Sequence, residues 1–140
     1  MNLYFWIPLG VLILVFLFAF YKRYKMIKEM KDMPESDKLI ILRDSNFKNT
    51  VSKGVTLVDF WAEWCTPCKI QGPIVNDVAE SIGDQANICK LDVDSNKKTA
   101  TQYGIRSIPT IIIFKDGKIA KKFTGVKTKG VLLKAVRELL

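Results

Sequence analysis

The sequence predicts an α/β fold, a central mixed β-sheet covered by helices on both faces and preceded by one apolar helix. Three observations predict it. Short apolar, strand-like runs alternate with helical spacings from Lys38 to Leu140. An Asp116-Gly117 pair divides two late strand-like runs, which marks an antiparallel hairpin and makes the sheet mixed. Met1 to Tyr21 carries no charged side chain, whereas everything after Lys22 is mixed.

The apolar segment comes first. Leu3 to Phe20, "LYFWIPLGVLILVFLFAF", would span roughly 27 Å as a helix, close to the hydrocarbon thickness of a bilayer. The other use of such a segment is a cleaved secretory signal. That needs a basic region before it and a small-x-small site after it, and here Phe20, Tyr21, Lys22 and Arg23 follow directly. An uncleaved transmembrane anchor is therefore expected, with Tyr4 and Trp6 at one headgroup level and Tyr21 and Tyr24 at the other. Lys22, Arg23, Lys25, Lys28 and Lys31 then outweigh Glu29 and Asp32, and Pro34 should end any helix leaving the membrane. This basic stalk is either a solvated helix end or a segment resting on anionic lipid headgroups. The expected division is an anchor at 1–21, a stalk or linker at 22–35 and a domain at 36–140 of ordinary size.

Within the domain, "KLIILR" reads as a strand and Ser45 to Ser52 as a short helix. "VTLVDFW" is apolar on both faces and belongs in the middle of a sheet. After two cysteines, Ile70, Ile74, Val78 and Ile82 recur at helical spacing up to Gly83, with a bend expected at Pro73. "NICKLDV" is another strand, and Ser95 a candidate N-cap for a helix through Tyr103. The Asp-Gly hairpin and a final amphipathic helix, Lys129 to Leu140, complete the chain.

Charge argues against one class of partner. The net charge is +8, with five basic and two acidic residues in the first 33. The remaining basic residues are scattered among acids rather than striped, so nucleic acid is not expected.

The chemistry points to "FWAEWCTPCK", where Cys65 and Cys68 stand three apart at the carboxyl end of a central strand, in a chain with no histidine. Structural zinc needs four ligands, and the chain offers only Cys65, Cys68 and the distant Cys89, so no metal is expected. A cysteine hydrolase lacks its usual histidine base. A purely structural disulfide across so small a loop would remove little unfolded-chain entropy. Reversible redox chemistry survives. Cys65, where the helix begins, lies near unpaired backbone N–H groups that stabilise a thiolate, which makes it the expected nucleophile. Cys68, one turn on and expected to be more buried, is placed to resolve a mixed disulfide. Pro67 removes an N–H that the first turn does not need.

These residues also resemble the thioredoxin family. "LVDFWAEWCTPCK", "LDVD", "YGIRSIPT", "FKDGK" and "TGV" occur in the family's order and approximate spacing, and together they cover Ser36 to Leu140. The resemblance implies the thioredoxin fold after the N-terminal transmembrane helix. It also implies a protein-disulfide reductase that works through a redox-active Cys65–Cys68 pair without a cofactor. Asp59 lies in an apolar run, where burial would raise its pKa; the resemblance has it assist proton transfer to and from Cys68. Lys90 resembles the family lysine that approaches this acid, although by itself it reads equally as a solvated strand lysine.

Pro109 taken alone would be trans, since X-Pro bonds are cis in only about 5–6% of cases. The resemblance reverses that expectation and places a cis Pro109 against the cysteines, with the Ile108 backbone offered for strand-like pairing to a polypeptide. Trp64, Thr66, Pro67, Ile108, Pro109 and Gly125 are then the substrate-binding residues, while Trp61 and Pro73 are structural. Two features depart from the pattern. Thr66 stands where the family usually has glycine, and it adds a hydroxyl and a stiffer backbone between the sulfurs. Cys89, pointing opposite to Lys90, is expected to be a packed core thiol.

The partners implied are proteins with disulfides, a flavoprotein reductase or other dithiol or membrane electron donor, and membrane lipid. No basic residue precedes the apolar run and five follow it closely, so the domain is expected on the cytoplasmic face. One Cys-x-x-Cys pair and an odd thiol suit such a reducing compartment. An oxidase or isomerase on the outer face is the alternative, and a binding module without turnover is a third reading that the intact cysteine pair disfavours.

Overall fold

The computed structural model describes residues 6–31 and 35–140, in two compact units divided after Pro34. The first unit contains α1 (Trp6–Lys31), which continues through the Tyr21/Lys22 boundary between apolar and basic sequence. The side chains from Val11 to Phe18 are all exposed. Among the described residues, no helix is long and apolar enough to cross a membrane. The start of the expected span, including Leu3 and Tyr4, lies outside the described residues, as does the Pro34 expected to end the helix.

The second unit follows the strand–helix alternation of the sequence. In order it contains β1 (Leu39–Ile41), α2 (Phe47–Val51), β2 (Val55–Trp61), α3 (Thr66–Ile82), β3 (Asn87–Asp92), α4 (Lys97–Gln102), β4 (Thr110–Lys115), β5 (Lys118–Thr124) and α5 (Lys129–Arg137). The strand order is β1-β3-β2-β4-β5. β1 and β3 run parallel to their neighbours, β4 and β5 antiparallel. The sheet is therefore mixed and β2 is central, as its two-faced apolar pattern requires.

Alternation along β2 separates two cores. Val55 and Leu57 face a cluster with Val75, Val78, Ala79 and Ile82 of α3 and Leu132, Ala135 and Val136 of α5. Val58 and Phe60 face the opposite way, against Phe47 and Val51 of α2, Cys89, Leu91, Ile112 and Phe114. There Phe114 packs edge to face against both Phe47 and Tyr103, which are themselves tilted against each other, with ring centroids 5.1 to 5.7 Å apart. Fully burying each such large side chain contributes roughly 1.5–3 kcal/mol, so both faces anchor the central strand. Between β4 and β5, Asp116 and Gly117 both have positive φ, 48° and 80°, the geometry that selected this pair for the hairpin.

Several expectations are corrected in detail. Ile70, counted on the apolar face of α3, is exposed, and its neighbour Gln71 is buried instead. The helix presents 71, 75, 78, 79 and 82 to the core, one position round from the stripe read from isoleucines alone. Ser95 does not cap α4. The N-cap is Asn96, whose side chain accepts from Asp44 N–H and donates to the Asp92 carbonyl, while Ser95 donates to the Asp92 carboxylate. α5 ends at Arg137 rather than Leu140, and Leu139 and Leu140 bond back three residues in a tightened last turn.

Candidate active site

Cys65 is the residue at which β2 hands over to α3. Its backbone is extended, φ −83° and ψ 106°, and it is the N-cap of a 17-residue helix. Its sulfur takes the place that a serine or aspartate oxygen usually fills, accepting the N–H of Cys68 at 3.2 Å. Thr66 and Pro67 form the exposed first turn, where the proline's missing N–H costs no helical bond. Cys65 and Cys68 are joined as a disulfide with Cα atoms 5.3 Å apart. In this oxidised form Cys68 is not the more buried of the two: the residues are 3% and 4% exposed. Position on the helix, not depth, distinguishes the sulfurs, because only Cys65 accepts a first-turn N–H and has the partial positive charge of the helix start beside it.

Around the pair pack Ala62, Trp61, Val93 and Ile108. The Ile108-Pro109 bond is cis, and the Pro109 carbonyl accepts the N–H of Gly125 at 2.9 Å, which ties the end of β5 to this edge. Trp64 is 69% exposed, with its indole N–H donated to Asp94 at 2.8 Å. Cysteines, Ile108, Pro109 and Gly125 are thus brought to one end of the sheet, and Trp64 stands in solvent beside them.

Asp59 and Lys90 lie deeper. By strand alternation Asp59 shares the α3 face of β2 with Val55 and Leu57, and it is fully buried. Neither carboxyl oxygen has a hydrogen-bond partner among the described residues. Burial pushes its pKa up to about 7, against the opposing pull of the Lys90 charge. Lys90 is its register partner on β3, but the ammonium donates to Glu35 at 2.9 Å and sits 4.8 Å from the centre of the Trp61 ring. Trp61 therefore contributes a cation–π contact as well as packing. Cys89 is buried on the opposite face, its thiol pushed up to about 12 by burial, which makes it an inert core residue.

Two participants were missed in the sequence. Glu35, read as linker, supplies the partner of Lys90. Gln71 is fully buried and bonds the backbone of Lys127 through both ends of its amide. Neither a glutamate after the stalk nor a polar residue beside the apolar stripe of a helix signals such a role, since each partner lies more than fifty residues away.

The thioredoxin family profile matches residues 38–138. A thioredoxin from Staphylococcus saprophyticus is 43% identical over 102 residues, covering 73% of this chain and 98% of that relative. One from Bacillus subtilis is 42% identical over 97 residues, covering 69% and 93%. Among solved structures, a mutant thioredoxin from Halobacterium salinarum superposes with a TM-score of 0.68 at 29% identity, covering 76% of this chain and 95% of its own.

Proposed function

Since the chain belongs to the thioredoxin family, we propose that its Cys65–Cys68 pair reduces protein disulfides at a membrane surface, with the domain tethered on the cytoplasmic side. The chain is a thiol–disulfide oxidoreductase, and its redox couple is Cys65 and Cys68. The observation that carries the residue roles is the sulfur of Cys65 at the α3 N-cap, accepting the Cys68 N–H. A thiolate there gains the same hydrogen bond in its charged form.

The reaction balances as two exchanges. The Cys65 thiolate attacks one sulfur of a client disulfide; the client S–S bond breaks, a Cys65–client S–S bond forms, and one client sulfur leaves as thiolate and takes up a proton. Cys68 then loses its proton and attacks the Cys65 sulfur, releasing the second client thiol and leaving the Cys65–Cys68 disulfide. Two electrons pass from the dithiol to the client, and a reductase returns them. Asp59, buried and titrating near neutral pH, is the group we assign to accept and return the Cys68 proton, with Lys90 setting its affinity. Ile108, Pro109, Gly125, Thr66, Pro67 and Trp64 form the rim on which an extended client segment would pair.

Membrane attachment rests on the charge-free run Leu3 to Phe20 and the basic residues after it. In this reading 1–21 is the anchor, 22–35 a stalk against anionic lipid and 36–140 the redox domain. The test of the activity uses the full chain in its dithiol form with a two-chain, disulfide-linked protein. Client disulfide should be lost in step with formation of the Cys65–Cys68 disulfide; an unchanged client at a reducing poise contradicts the proposal.

A further inference from the structure

Gln71 lies one helical turn beyond Cys68 on α3 and is fully buried. A buried primary amide is costly unless its donor and acceptor are both matched. Here both are matched by a single residue across the fold. The Lys127 N–H donates to Gln71 Oε1 at 2.7 Å, and Gln71 Nε2 donates to the Lys127 carbonyl at 3.3 Å. Lys127 lies in the loop between β5 and α5, where no neighbouring strand offers it these bonds.

The same loop is pinned at its other end, where the Gly125 N–H donates to the Pro109 carbonyl. Gly125 to Lys127 is therefore suspended between the segment that follows Ile108 and the helix that begins at the cysteines. Val126, exposed between the two anchors, is the side chain this suspension presents to solvent. An apolar side chain at 71 would pack in the core but leave the Lys127 N–H and carbonyl without these partners.

We propose that Gln71 is a positioning residue for polypeptide substrates: its amide clamps the Lys127 backbone to the cysteine helix and so holds the Gly125–Lys127 wall at a fixed distance from Cys65. This rests on the reading of that rim as the client-binding edge. Because the clamp joins the wall to the helix that carries the nucleophile, its loss falls on client binding rather than on the exchange step.

The experiment compares the full chain with Gln71→Met, which keeps side-chain length and removes both bonds. With a two-chain, disulfide-linked protein as substrate, KM should rise about tenfold while kcat holds, the pattern of weakened client binding with the exchange step intact. Gln71→Glu, which keeps the acceptor for the Lys127 N–H, should fall between the two and reads the clamp should the methionine variant not fold. Hydrogen exchange supplies a readout that does not depend on turnover: the Lys127 amide should be protected in the unsubstituted chain and exchange at least about tenfold faster in the variant. An unchanged KM in folded Gln71→Met, a loss in kcat alone, or an unprotected Lys127 amide overturns the proposal. If the unsubstituted chain reduces no protein disulfide, the reading of the activity fails instead, and the amide rate still reports on the clamp.

Discussion

Asp59 and Lys90 are register partners on adjacent parallel strands, yet the Lys90 ammonium hydrogen-bonds Glu35 at 2.9 Å while both Asp59 oxygens lack a hydrogen-bond partner among the described residues. Lys90 thus acts on the acid through its field alone. Desolvation dominates, and the carboxyl is held near half-protonation at neutral pH.

That arrangement makes stability depend on pH. The folded pKa of Asp59, about 7, lies above its ordinary value of 3.8. Well below pH 3.8 the group is protonated in both states and costs nothing differential. Between about 4 and 7 the unfolded chain releases a proton that the folded chain keeps, so stability falls as pH rises and levels off above 7. Asp59→Asn removes the titration. Its stability relative to the unsubstituted chain should improve across that window by an amount on the order of 4 kcal/mol. Urea unfolding at pH 4, 6 and 8.5 checks this; a difference independent of pH contradicts it.

The same substitution should slow reduction of a protein disulfide, by of order a hundredfold near neutral pH, the low end for a positioned proton-transfer group. Equal rates for the two proteins from pH 6 to 9 would leave Asp59 with no part in the exchange.

Lys90→Met removes a charge that favours the Asp59 carboxylate, so the pKa of Asp59 should rise above its present value of about 7. The carboxyl stretch followed by infrared difference spectroscopy during a pH titration reads this directly. A midpoint that stays put or falls would show that Glu35 neutralises Lys90 as far as Asp59 is concerned.

What was legible in the sequence follows physical range. β2 and the Asp116-Gly117 turn are specified by residues next to one another, an apolar run on both faces and a pair that accepts positive φ, so both were readable. The start of α3 was readable because a proline after Cys65 leaves few other conformations. Gln71 and Glu35 were not: a glutamine next to isoleucines looks like the wet side of a helix until Lys127 supplies its partners, and a glutamate after Pro34 looks like linker until β3 brings Lys90 to it. The miscounted face of α3 is the same effect, since hydrophobicity places Ile70 on the apolar stripe while the structure buries its polar neighbour Gln71. Asn96 displaced Ser95 as the α4 cap because its amide bonds two separate segments at once.

The proposed cytoplasmic side rests on the charges that flank the apolar run. In sealed cells reduced with a permeant thiol, an impermeant maleimide should leave Cys65 and Cys68 unlabelled until the membrane is breached. Labelling of intact cells would place the domain outside and bring disulfide oxidation or isomerisation forward as its task.

The division of labour between the two sulfurs is tested most directly by trapping. Cys68→Ser keeps the thiolate stabilised at the α3 N-cap and removes the resolving thiol, so it should accumulate mixed disulfides with client proteins, visible on non-reducing gels and released by dithiothreitol. Cys65→Ser should accumulate none above background. Equal trapping by the two variants, or trapping by Cys65→Ser alone, would contradict the assignment of Cys65 as the attacking sulfur.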